Sequence, residues 1–386
     1  MKIVIAPQAY KGSLHAPQVA EAIARGVRQI FSRAELVLLP VADGGEGTVQ
    51  ALVRSSGGEL VTSRVVGPLE EPVDATWGVL GDGQGAIIEM AAASGLPLIR
   101  REERNPLITT TLGTGQLIER AMDRGLSRLI IGLGGSATND GGAGMAMALG
   151  VRFLDGEGRE LPLGGGSLIH LAKIDITDID PRVRDLSVEV ASDVSNPLCG
   201  PEGASSIYGP QKGATPDMVM RLDAGLANYA RVLERDLGVN VSDIPGAGAA
   251  GGLGAGLVAF LGATILPGVE VVFQAIKLDQ HLRRTSLVFT GEGRMDRQDI
   301  YGKAPLAVAE RAKQRGIPSV AIVGTTGRDY RIVFHHGLDA VIGIVNRPMP
   351  LDRSLMEAES LISEAAMRAC RMVRVGMQME KRARRG

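Results

Sequence analysis

Four short clusters along this chain combine glycine or a hydroxyl residue with acids or a lysine, and each follows a short apolar run. They are Lys11-Gly12-Ser13, residues 43–48 (DGGEGT), residues 193–196 (DVSN) and residues 291–296 (GEGRMD). In open α/β sheets, ligands bind at the C-terminal ends of strands. An acid at such a position is often only the N-cap of the next helix. Here five acids, Asp43, Glu46, Asp193, Glu292 and Asp296, stand at three strand ends. If they converge, their repulsion requires a cation, and Mg²⁺, Lys11, Arg294 and Lys303 are the candidates. Carboxylates, glycine-rich backbone and lysine together suit phosphoryl transfer. Amides and lysine hold phosphate oxygens, Mg²⁺ on one or two carboxylates bridges them, and a further carboxylate orients the attacking hydroxyl. A small carboxylated substrate also needs a cation, which Lys11 or Arg294 can supply.

Residues 129–150 (LIIGLGGSATNDGGAGMAMALG) add a second kind of signal. An apolar run breaks at Gly134 and Gly135, polar residues follow, and an Ala/Met/Leu helix pattern closes the segment. Strand, glycine turn and helix N-terminus together form an anion site, although tight turns also need glycine for steric reasons alone. Other chemistries lack their motifs. There is no G-x-x-x-x-G-K-[ST] segment, since Gly302-Lys303 lacks the upstream glycine and the hydroxyl. The first strand leads into Pro7-Gln8-Ala9-Tyr10, not a dinucleotide fingerprint, and no G-x-S-x-G elbow occurs. None of the five histidines, His15, His170, His281, His335 and His336, falls in a glycine-acid cluster, which disfavours histidine chemistry.

These clusters need elements to hold them. Residues 2–6 and 35–41 read as strands, each followed by a helix pattern, so the N-terminal segment is βαβα with a parallel sheet. Residues 58–95 change to three short strands with Gly/Pro punctuation and antiparallel character. The 286–296 run reads as a strand followed by a polar turn. A helix over 304–315, strands over 318–323 and 339–345 and a terminal helix over 354–376 follow. The expected fold is α/β, with a Rossmann-like, doubly wound, mostly parallel sheet domain (1–60 plus 285–386). A second, mixed α/β domain (61–284) is inserted into it.

Composition narrows the function further. A chain of 386 residues holds about two domains. Only 3% is aromatic, so the cores must be aliphatic. The 52 glycines follow no repeat and sit at strand ends, which indicates tight turns and ligand-facing backbone. A net charge of −1 points away from nucleic acid and anionic membranes. The basic residues 381–385 read as a solvated tail. Two distant cysteines make neither a disulfide framework nor a metal cluster. No signal peptide precedes the first strand, and the apolar run at 254–267 is too short to span a bilayer. The expectation is a soluble, cytoplasmic protein. The Gly/Ala-rich segment 246–262 reads as internal close packing in preference to a dimer contact, and both monomer and homodimer remain open.

Read together, the clusters resemble those of the bacterial type 1 glycerate kinases (glycerate 2-kinases). The matching segments include KIVIAPQAYKGSL (2–14), PVADGGEGT (40–48), TTLGTGQLI (110–118), residues 129–150, DVSNPLCGPEGA (193–204), YGPQKGAT (208–215), GAGAAGGLG (246–254) and FTGEGRMDRQDIYGKAP (289–305). The resemblance implies transfer of the γ-phosphoryl of ATP, with Mg²⁺, to D-glycerate in a cleft between two domains. The product is generally 2-phosphoglycerate, with 3-phosphoglycerate assigned to some members. On this reading Asp193 orients or deprotonates the acceptor hydroxyl. Lys11 and Arg294 bind the carboxylate or the transferring phosphoryl. Asp43, Glu46, Ser13, Glu292 and Asp296 hold glycerate, with Asp193 and Asp296 on Mg²⁺. Gly134, Gly135, Ser136, Asn139 and Lys212 hold the nucleotide. One segment departs from the pattern: the family's PDSFKGSL is PQAYKGSL here, with Gln8 for the aspartate and Ala9 for the serine. Losing that carboxylate leaves two alternatives: a kinase of another small hydroxy acid, or a catalytically weakened ligand-binding homologue.

Overall fold

Runs such as KIVI and SVAIV, apolar on both faces, build the first sheet of the computed structural model, which describes residues 1–42, 44–45, 47–297 and 303–384. Asp43 and Glu46 therefore lie outside the described residues. The chain divides into two compact units: residues 1–43, 50–55 and 272–386 form one, and residues 44–49 and 56–271 the other. The chain is α/β, with one all-parallel and one mixed major sheet.

The five strands of the first unit are all parallel. Their order across the sheet is Ala340–Gly343, Ser319–Thr326, Leu287–Met295, Lys2–Ile5 and Glu35–Leu38. Continuous apolar strands of this kind require cover on both faces. Val320 and Ile322 face the helices Ala16–Arg28 and Ala358–Ala383, whereas Ala321 and Val323 pack with Leu306 and Ala309 of the helix Ala304–Lys313. In chain order within the unit, the strands run 2-1-3-4-5. The order reverses direction between Lys2–Ile5 and Leu287–Met295, and in open α/β sheets ligands bind at such a point.

The GEGRM segment is strand, not turn. It pairs with Ser319–Thr326 as far as Met295 opposite Thr326. Gly291 makes this possible: its φ is +151°, and a Cβ there would lie 1.8 Å from the Ile322 carbonyl oxygen. The terminal helix also differs from expectation, since it is two helices, Leu351–Met356 and Ala358–Ala383.

The helix Ala16–Arg28 packs on Ala358–Ala383 through Gly26. A Cβ at Gly26 would meet the Ser363 carbonyl at 2.1 Å and Ala366 Cβ at 2.8 Å. Gly26→Ala must therefore spread the helix pair, although alanine favours helix. The expected loss is about 1–2 kcal/mol, read from urea unfolding; an unchanged or higher midpoint would contradict this packing.

The second unit carries a six-stranded sheet in the order Thr264–Leu266, Ser187–Ala191, Arg128–Gly132, Gly85–Glu89, Pro72–Val79 and Glu59–Val66. The first four are parallel neighbours, and the last two join as an antiparallel meander. The three short strands expected in 58–95 form this meander and its junction with the parallel part. Three short strands, Arg152–Leu154, Lys173–Asp175 and Thr264–Leu266, escaped the periodicity reading because three residues show no period. The segment 246–262 packs internally: a Cβ on Gly251 would stand 2.0 Å from the Thr138 carbonyl, and one on Gly256 2.6 Å from that of Gly141.

Candidate active site

A pocket of about 910 Å³ opens at the C-terminal ends of four parallel strands of the first unit. After Lys2–Ile5 the chain contributes Gln8, Ala9, Lys11 and Ser13. The turn is held by Tyr10, whose N–H donates to the Leu14 carbonyl and whose hydroxyl donates to the Ile322 carbonyl at 2.7 Å. Burial, then the nearby Glu292 carboxylate, pushes the Tyr10 phenol well above its ordinary pKa, so it stays a neutral donor. Leu287–Met295 contributes Glu292, Gly293 and Arg294, and Asp296 follows directly.

Two ion pairs organise the polar end. Lys303 Nζ lies 3.4 Å from Glu292 Oε2, and Arg294 Nε lies 3.2 Å from Asp296 Oδ2. Glu292 is 6% exposed, whereas the Arg294 side chain is 69% exposed. Lys11 is exposed as well. Cations and carboxylates thus share one wall, so a polyanion can take the cations while the carboxylates accept a divalent metal. The Ser13 hydroxyl donates to the Leu355 carbonyl at 2.9 Å and ties this wall to the helix Leu351–Met356.

The structure therefore brings Lys11, Ser13, Glu292, Arg294, Asp296 and Lys303 together in one pocket. Asp193 belongs to the second unit. It is exposed, and its Oδ1 accepts the Gly268 amide at 2.9 Å, at the start of the helix Gly268–Ala275. Among the described residues no three His, Cys, Asp or Glu side chains form a metal-binding group. Mg²⁺ does not need three, since it is commonly held by one or two carboxylates together with phosphates and water. Glu292 and Asp296, in one pocket, fit that donor set.

The glycine loop of the second unit runs between Arg128–Gly132 and the short helix Ala143–Ala148. Here the expected anion site at the helix N-terminus is taken by the protein's own carboxylate. Asp140 Oδ1 accepts the Gly142 amide at 3.1 Å, and Oδ2 accepts those of Thr111 at 2.8 Å and Gly144 at 3.3 Å. Gly134 and Gly135 are exposed in the turn. Ser136, Asn139 and Lys212 are buried. Asn139 Nδ2 donates to Ser205 Oγ at 3.0 Å, and Lys212 Nζ donates to the Thr138 carbonyl at 2.7 Å. These two side chains fasten the loop from behind.

The motifs do not point to the apolar part of the first pocket's lining: Ile344, Val345, Met349, Leu351 and Leu355. The strand-end rule that selected the acidic clusters would have pointed there, because residues 344–349 follow a strand.

A sequence profile described as the glycerate kinase family matches residues 3–374. The chain belongs to the glycerate kinase family. Relatives named as glycerate kinases match nearly all of its length. The glycerate kinase of Halalkalibacterium halodurans is 51% identical, over 94% of this chain and 96% of its own. The glycerate 2-kinase of Escherichia coli K12 is 50% identical, over 98% and 99%. A crystal structure assigned as a glycerate kinase 2 of Salmonella typhimurium LT2 matches with a TM-score of 0.91 at 48% identity, covering 98% of this chain and 99% of that one. The chain is thus a glycerate kinase family enzyme whose α/β fold is that of a solved relative. Among the described residues, no helix is long and apolar enough to cross a membrane.

Proposed function

We propose that this enzyme transfers the γ-phosphoryl of ATP to the 2-hydroxyl of D-glycerate, giving 2-phosphoglycerate and ADP. The observation that carries the reading is the pocket in which Lys11, Arg294 and Lys303 stand beside Glu292 and Asp296. The names of relatives about 50% identical over nearly the whole chain support the substrate and, for one of them, the phosphorylated position.

In this mechanism Lys11, Arg294 and Lys303 offset negative charge on the phosphoryl and on the glycerate carboxylate. Glu292 and Asp296 would hold Mg²⁺, which when bound neutralises phosphate charge. Asp193 takes the hydroxyl proton as the bond from the glycerate oxygen to phosphorus forms and the bond to the ADP oxygen breaks. Gly268 fixes the carboxylate through Oδ1. The exposed Gly134–Gly135 turn offers close backbone approach to a phosphate, with Ser136 beside it, while Asn139 and Lys212 fasten the loop. Asp43 and Glu46 are proposed as glycerate ligands.

Turnover of D-glycerate with ATP, with the product read by ³¹P-coupled NMR, tests this reading. A 2-phosphate product is expected, and a 3-phosphate product would overturn the assigned position. Gln8 lines the same pocket, so the screen includes other small hydroxy acids; a clear preference for one of them would replace glycerate as the acceptor. Lys11→Met is expected to lower kcat/KM about 10- to 100-fold, as loss of a charge-assisted contact does. Thermal stability should stay at the parental value because Lys11 is exposed; unchanged kinetics would remove Lys11 from the site.

A further inference from the structure

The pocket of the first unit is far larger than a three-carbon acid needs. Its volume of about 910 Å³ lies in the range that encloses drug-sized ligands, roughly 300–1,000 Å³. Its two walls also differ in chemistry. The cations and carboxylates stand at the ends of Lys2–Ile5 and Leu287–Met295. Along the rest of the lining, Ile344 and Val345 follow Ala340–Gly343, and Met349, Leu351 and Leu355 come from the next segment and helix. Glycerate has no apolar surface for such a wall to cover.

We infer that the wall formed by Ile344, Val345, Met349, Leu351 and Leu355 seats the purine ring of ATP, a placement that rests on the ATP-dependent reading above. Three observations support it. First, the wall is apolar yet open: Leu351 is 71% exposed, Val345 45% and Leu355 37%, so a flat ring laid on it removes apolar surface from water. Met349 adds a polarizable thioether, which suits an aromatic ring. Second, in the sheet order Ala340–Gly343 lies two strands from Leu287–Met295, or about 10 Å at ~4.8 Å per strand. Ribose and the first phosphate span such a gap from Ile344 and Val345, which leaves the outer phosphates at Arg294 and Lys303. Third, the pocket sits at the strand ends of a parallel sheet, where nucleotides bind across the point at which the strand order reverses. A ligand with an apolar ring at one end and a polyanion at the other matches both walls at once.

Leu351→Asp and Val345→Asp test the placement, because both side chains are exposed and circular dichroism can verify folding. Calorimetry would measure MgATP and, separately, magnesium tripolyphosphate, which has the polyanion without the ring. Each variant is expected to weaken ATP at least ~10-fold while leaving tripolyphosphate within about twofold of the parent. In turnover the KM for ATP should rise, with the KM for glycerate at saturating ATP unchanged. Parental ATP affinity in both variants, or parallel loss of tripolyphosphate, would overturn the inference. Turnover separates it from the functional reading. If the parent binds ATP through this wall but does not phosphorylate glycerate, the reaction is wrong and the seat stands. If it phosphorylates glycerate and both variants keep the parental KM for ATP, the seat is wrong and the reaction stands.

Discussion

Asp193→Asn is expected to lower kcat by about 10²-fold or more while leaving the fold intact. The substitution separates chemistry from structure because asparagine keeps the side-chain oxygen that accepts the Gly268 amide at 2.9 Å. It removes the capacity to take a proton and the negative charge. A capping role alone would survive the change nearly unaltered, since Asn and Asp are comparable acceptors at helix starts. The measurement is a steady-state rate at saturating ATP and glycerate, beside a thermal melt. Activity within about 3-fold of the parent would show that Asp193 is a cap and nothing more. An inactive variant with a parental melt would assign it to the reaction.

Lys212→Met is expected to change how stability depends on pH. Lys212 is 1% exposed, and burial lowers its pKa to about 7, with the nearby Asp140 carboxylate opposing that shift. Unfolded, the lysine titrates at its ordinary value of 10.5. Between these values the unfolded chain binds the extra proton and the folded chain does not. Stability therefore rises with pH across this window, by at most about 1.4 kcal/mol per pH unit, and falls again as pH drops toward 7. The methionine variant lacks this dependence. From pH 7 to 9 the stability difference should move in favour of the parent by about 2 kcal/mol. Tyr229, which also faces Asp140, has its pKa pushed well above the ordinary value by burial and adds nothing in this range. Urea midpoints at pH 7, 8 and 9 give the slope; parallel lines for the two proteins would mean that Lys212 keeps its proton in the folded state.

What was legible in the sequence follows from how local each signal is. The parallel strands announced themselves because burial on both faces demands unbroken apolar runs, and Lys11, Glu292 and Arg294 stand at their ends. The helix N-terminus after residue 142 misled for a related reason. Glycines and an aspartate look the same whether the amides await a ligand or are already held, and only the fold shows that Asp140 holds them. Buried side chains were the hardest to foresee. Lys212 reads from its type as a solvent-facing cation, yet long-range packing encloses it and turns it to the Thr138 carbonyl. The apolar wall was hidden because Ile344, Val345 and Leu355 look like core residues, and nothing local distinguishes core from pocket.

The parallel sheet joins strands far apart in the sequence, and this orders events at the ribosome. Lys2–Ile5 leaves the exit tunnel before its neighbour Leu287–Met295, which follows some 280 residues later. At ~5–20 residues per second, one edge of that strand waits roughly 15–60 s for its partner. The intervening residues 56–271 are contiguous and can fold during that interval. Once compact, they shorten the span that the nascent chain must close, so the N-terminal strand meets its partner across a smaller loop. Vectorial synthesis therefore makes the interrupted sheet the last part to assemble, and with it the pocket at its strand ends.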